Sequence, residues 1–140
     1  MRVFLDTNVI VDFYAQREGH YQAAAIIMAL AWRREIEIVV SATTFVNAFF
    51  LLRKEYSQED LYDKMDGLAS LCTISDVSSD KVKEALKMRA VDFEDSVQWL
   101  SANSKSADVI VTRDKHFNHY QGNIMTPSQF LDEYYDCKQQ

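Results

Sequence analysis

Hydrophobic residues recur along this chain in two rhythms, and the switching between them predicts the architecture. Short runs rich in β-branched or aromatic residues read as strands: Val3-Phe4-Leu5, Ile36 to Val40, Cys72-Thr73-Ile74, Val109-Ile110-Val111 and Ile124-Met125. Between them the spacing becomes helical. Val9 to Ala15 follows the first strand, and from about His20 to Arg33 the residues Ala23, Ile26, Ile27 and Leu30 place one apolar stripe toward a core. Ser41 is a good N-cap for a helix carrying Phe45, Phe49 and Leu52. Gln58 to Ser70, Ser79 to Arg89 and Asp92 to about Ser104 read as further helices. Thr126-Pro127 opens a last helix with Phe130, Leu131 and Tyr134 on one side, because proline suits the first helical position.

Strands alternating with helices over the whole length imply right-handed βαβ crossovers and a parallel sheet covered on both faces, an α/β fold in three layers. Composition sharpens this picture. The chain has 140 residues, of which 48% are hydrophobic, enough for one core, so residues 1–140 are expected to form a single domain. Only three glycines and one proline leave little material for long loops. Charges at Arg2 and Asp6 precede any signal-peptide apolar region, and the longest apolar run, Ala23 to Trp32, is too short to span a bilayer. A soluble cytoplasmic protein with no membrane partner is expected. Cys72 and Cys137 lack metal-ligand or disulfide-framework spacing and read as buried or idle thiols.

In open parallel sheets, ligands bind outside the carboxyl ends of the strands. Asp6 ends the first strand, Asp114 closely follows Val109–Val111, and Asp92 and Asp95 begin a helix whose N-terminus should point the same way. Each acid alone has a structural explanation as a cap, a turn residue or a helix-dipole partner. Together they would repel one another unless a cation were present. Aspartates converging without cysteine suit Mg²⁺ or Mn²⁺, hard ions that take oxygen ligands and accept phosphate oxygens, so the natural substrate is a phosphodiester. The net charge of -6 argues against a broadly basic nucleic-acid surface and leaves Arg33-Arg34, Arg53-Lys54 and Arg113-Lys115 as local basic candidates.

Four segments in order, Phe4-Leu5-Asp6-Thr7-Asn8, Val40-Ser41-Ala42-Thr43-Thr44, Asp92-Phe93-Glu94-Asp95 and Ile110-Val111-Thr112-Arg113-Asp114, resemble the PIN-domain family over nearly the whole chain. The likeness is to the small bacterial PIN proteins, many of them VapC-type toxins. It implies a Rossmann-like three-layer domain acting as a Mg²⁺- or Mn²⁺-dependent endoribonuclease on RNA, commonly as a homodimer restrained by a small antitoxin. It carries catalytic acids onto Asp6, Asp95 and Asp114, with Asp92 joining them as metal ligand, and substrate-facing polar support onto Thr7, Asn8, Thr112 and Arg113. The chain departs from the pattern at Asn47, a catalytic position where the family usually has glutamate. An amide can orient water or coordinate through its oxygen but brings no charge, so a PIN module that binds RNA or a protein without cutting is the alternative.

Other assignments fit less well. A haloacid-dehalogenase-like phosphatase needs a second acid two residues beyond Asp6, where Asn8 stands, and a receiver domain needs adjacent acids there. His20, His116 and His119 lack metal-ligand spacing and read as surface residues. Phe49-Phe50, Trp99 and Tyr134-Tyr135 fit a core better than a docking surface.

Overall fold

A computed structural model describes residues 1–139. Five strands form one parallel sheet: β1 (Arg2–Leu5), β2 (Glu37–Ser41), β3 (Thr73–Ser75), β4 (Val109–Val111) and β5 (Ile124–Met125), in the order β3-β2-β1-β4-β5. The helices are α1 (Thr7–Tyr14), α2 (Tyr21–Trp32), α3 (Ala42–Leu51), α4 (Gln58–Leu71), α5 (Ser79–Met88), α6 (Phe93–Ser104) and α7 (Pro127–Gln139). The expected α/β class and parallel sheet are present, with element ends shifted by one or two residues.

The central strands are buried on both faces, and their two-residue side-chain period divides the core in two. Val3, Leu5, Ile38, Val40, Val109 and Val111 face a large cluster completed by α1, α2, α3, α4 and α7. Phe4, Val39 and Ile110 point the other way, onto Ala102 of α6 and Phe117, with Trp99 and Tyr120 at the margin. The sheet is thus the middle of three layers.

Serine and aspartate caps start most helices at the carboxyl edge. Asp6, Ser41 and Asp92 each accept a backbone N–H at the start of α1, α3 and α6. The register of β1 beside β4 pairs Leu5 with Val111, and the Asp6 amide donates to the Val111 carbonyl at 3.0 Å. Segments about 105 residues apart in sequence therefore end side by side, as the pairing of Arg2 N with Asp108 across a separation of 106 also shows. Among the described residues no helix is long and apolar enough to cross a membrane.

The sequence pattern did not reveal a short 3-10 helix at Lys115–His119, just past Asp114. Its anchor is Phe117, fully buried in the smaller core. The aromatics divide differently from expectation: Phe49 packs edge-on against Tyr62, but Phe50 is 60% exposed with the Arg53 guanidinium over its ring. Both cysteines are free, Cys72 half-buried and Cys137 exposed rather than buried.

Candidate active site

The acidic residues meet where β1, β4 and α6 converge. Asp6 is 4% exposed, and both its oxygens are engaged. The Thr7 amide and Gln98 Nε2 donate to Oδ1 at 2.9 and 3.0 Å. The Thr112 hydroxyl and Asn8 Nδ2 donate to Oδ2 at 2.8 and 3.1 Å. Four donors from three elements fix this carboxylate. Burial nevertheless pushes its pKa above the ordinary carboxylate value; the hydrogen bonds pull it down and the Asp114 charge adds to the rise.

Asp95 differs. It is equally buried, but its Oδ2 has no hydrogen-bond partner among the described residues. Burial, then the charges of Asp114, Asp92 and Asp6, push its carboxyl up to about 8. One ligand-type atom from each of Asp92, Asp95, Asp114 and His116 lies within 4.8 Å of the others. An unpartnered buried carboxylate oxygen beside two further carboxylates and an imidazole fits a divalent cation, because a cation would supply the missing partner and relieve the repulsion. The cluster opens into a cavity of about 320 Å³ lined by Arg89, Asp92, Asp95, His116, His119 and Tyr120 among others.

Local structure explains the convergence. Asp92 accepts the Asp95 amide at 3.3 Å as N-cap of α6, which sets the first turn of that helix. The Thr112 hydroxyl accepts the Asp114 amide at 3.0 Å, and Asp114 in turn accepts the His116 amide at 2.9 Å. Phe117 below and the 2.7 Å Ser96–Tyr120 hydroxyl pair hold the 3-10 turn against α6. The surface assignment of His116 needs amending: its ring is exposed, but Nδ1 lies 3.3 Å from Asp114 Oδ1. His20 and His119 are exposed, as expected.

Asn8 bridges the two strand ends, donating to Asp6 and accepting the Arg113 amide at 3.3 Å. Thr7 is buried, its hydroxyl 2.9 Å from that of Thr44. These residues brace the site from beneath rather than lining an open surface. Arg113, expected at the substrate, is engaged within the protein. Its guanidinium makes a two-pronged ion pair with Asp12, at 2.6 and 2.9 Å. Asp12 is 1% exposed, so this arginine neutralises a buried charge instead of being held free for phosphate.

Asn47 stands on α3 with its Nδ2 3.5 Å from Oε1 of Glu94 in the first turn of α6. Partial burial and the charges of Asp6, Asp92 and Asp114 raise the Glu94 pKa. Gln98 escaped the sequence reading and Thr44 was named within a motif but given no role, although both follow recognised motif residues by three positions, the spacing that shares a helix face. Gln98 Nε2 lies within reach of Asp6, Thr7 and Thr44, so α6 grips the first carboxylate from the side.

Over 138 residues the chain is 20% identical to Ribonuclease VapC1 of Aquifex aeolicus, covering 95% of each. The fold resembles a toxin-antitoxin complex chain from Klebsiella pneumoniae, with a TM-score of 0.68 at 19% identity over 89% of this chain and 97% of that one. VapC20 of Mycobacterium tuberculosis, described as a Sarcin-Ricin loop cleaving toxin, superposes with a TM-score of 0.65 at 15% identity, over 83% and 92% of the two chains. Residues 2–116 match the PIN domain family, and this chain belongs to it.

Proposed function

We infer that this protein is a divalent-metal-dependent endoribonuclease that hydrolyses RNA phosphodiester bonds. The observation that carries the reading is the orphaned, buried Asp95 oxygen within the Asp92–Asp95–Asp114 cluster, next to a fully braced Asp6. Asp92, Asp95 and Asp114 would hold Mg²⁺ or Mn²⁺, with Asp6 adjoining and His116 at the rim. Such an ion, when bound, lowers the pKa of a coordinated water and neutralises charge on a phosphate oxygen.

The protein's own residues supply orientation and charge. Thr112, Asn8, Gln98 and the Thr7 amide fix Asp6 in direction and offset part of the cost of burying its charge. Asp95, whose buried Oδ2 has no donor among the described residues, would offer that oxygen to the ion. An acidic edge of this kind admits RNA only with a cation in place. The named relatives, a ribonuclease and toxins with partner antitoxins, support extending the reading to a toxin restrained by a small antitoxin, with residues 1–140 acting as one domain.

Asn47 favours one second reading, a PIN module that binds RNA without cutting it. The two separate in an assay of a labelled structured RNA with Mn²⁺. Cleavage by the wild type that disappears with Asp6→Asn supports the enzyme. RNA bound but uncut by both proteins leaves the binding module.

A further inference from the structure

We propose that Glu94 supplies, from the first turn of α6, the carboxylate that Asn47 does not supply from α3. The inference rests on the metal-dependent reading above and adds a residue to it.

Three observations carry the proposal. The two side chains face each other across the cleft between α3 and α6, with Asn47 Nδ2 3.5 Å from Glu94 Oε1. Glu94 lies between Asp92 and Asp95 in sequence, and both neighbours belong to the converging cluster. Finally, Asp95, 4% exposed and next to Glu94 in the first turn of α6, has an oxygen that nothing among the described residues satisfies. That unpartnered oxygen calls for a cation rather than for another hydrogen bond, since no donor reaches it.

The chemistry of the pair fits an amide at one position and an acid at the other. Glutamates at both 47 and 94 would set two carboxylates a few ångströms apart and raise the charge of an already crowded edge. An asparagine at 47 offers an N–H donor instead, which steadies Oε1 of Glu94 and leaves Oε2 for a metal. Asn47 is then an orienting residue. Its lack of charge is the complement of the charge on Glu94. A glutamate present only to complement the α6 dipole would affect helix stability and leave metal affinity alone.

The test is a Mn²⁺ titration of the chelator-treated protein, read as free Mn²⁺ by electron paramagnetic resonance, with the metal-free melting temperature confirming that each variant folds. Glu94→Gln should weaken Mn²⁺ binding by roughly 10-fold or more. Asn47→Glu in the Glu94→Gln background should recover most of that loss, because it returns a carboxylate to the same cleft from the opposite side. Asn47→Glu alone should bring no comparable gain. If Glu94→Gln binds Mn²⁺ like the wild type while Asp95→Asn does not, Glu94 is a helix-terminal charge and the proposal falls with the nuclease reading intact. If Glu94→Gln weakens binding and the double variant does not recover it, the complementarity of the two positions is wrong. If Asp95→Asn also binds like the wild type, the metal reading itself fails, and this proposal with it.

Discussion

Asp6 and Asp95 are buried to the same degree a short distance apart, yet one has donors on both oxygens and the other keeps an oxygen with none. The Asp6 side of the site is finished by the protein alone: Thr7, Asn8, Gln98 and Thr112 fix it before any ligand arrives. The α6 side is unfinished, with three carboxylates and an imidazole drawn together and too few donors among them. A buried charge without a partner destabilises the fold that holds it. Such an arrangement persists where a bound ligand offsets the cost, which divides the site into a rigid frame and an electrostatically unsatisfied receptacle.

The largest contrast should come from neutralising the unsatisfied side. Asp95→Asn is expected to lower RNA cleavage on the order of 100-fold or more and to abolish stabilisation by Mn²⁺. The same change should raise the melting temperature of the metal-free protein at pH 8, because it removes the least favourable buried charge. Asp6→Asn should also lower cleavage but bring no such gain, since it replaces a satisfied acceptor with an amide that must turn a donor toward other donors. Loss of activity with equal stability effects in the two variants would erase the distinction.

The pH dependence sharpens it further. Asp95 binds its proton more tightly folded than unfolded, with a native value of about 8 against about 3.9 in an unfolded chain. The contribution of this proton to the stability of the metal-free protein is therefore full below about pH 4 and is lost progressively as pH rises toward 8. Thermal melts in chelator should show a decline across that window that Mn²⁺ suppresses and Asp95→Asn flattens. A metal-free profile as level as that of Asp95→Asn would remove the electrostatic basis of the comparison.

Smaller effects probe the frame. Gln98→Leu withdraws one donor from Asp6 and leaves the Thr7–Thr44 hydroxyl pair without its amide neighbour, so cleavage should fall roughly 10-fold with metal-free stability little improved. Arg113→Met should reduce stability by roughly 1–3 kcal/mol, since Arg17 at 3.5 Å gives Asp12 only a weaker substitute partner. RNA affinity should barely change. An unchanged melt with weakened RNA binding would return Arg113 to the substrate.

The frame and the receptacle were not equally legible in the sequence. Strand and helix periods mark the sheet and its carboxyl edge, and caps such as Asp6, Ser41 and Asp92 mark where helices leave it. The convergence of Asp92, Asp95 and Asp114 follows from that edge. What periodicity does not encode is which way a polar side chain turns once there. Arg113 sits in a motif yet faces Asp12, because a buried carboxylate attracts the nearest guanidinium more strongly than solvent does. Gln98 looks like an ordinary helix residue until α6 is seated on β1. His116 owes its place to Phe117, whose burial folds a turn that no repeat announces. The partnership of Asn47 and Glu94 spans 47 positions and depends on how α3 and α6 approach each other.

The placement of β4 beside β1 also governs when the protein becomes competent. The amino-terminal acid belongs to the first strand made, but its Thr112 and Gln98 donors and its companions Asp95 and Asp114 all come from the last third of the chain. Until β4 has been synthesised and inserted next to β1, the most buried strand of the sheet lacks a neighbour on one side and Asp6 faces water without its carboxylate partners. The acidic edge therefore assembles only once β4 is in place, and a chain interrupted before residue 109 carries Asp6 without its Thr112 donor and without Asp114.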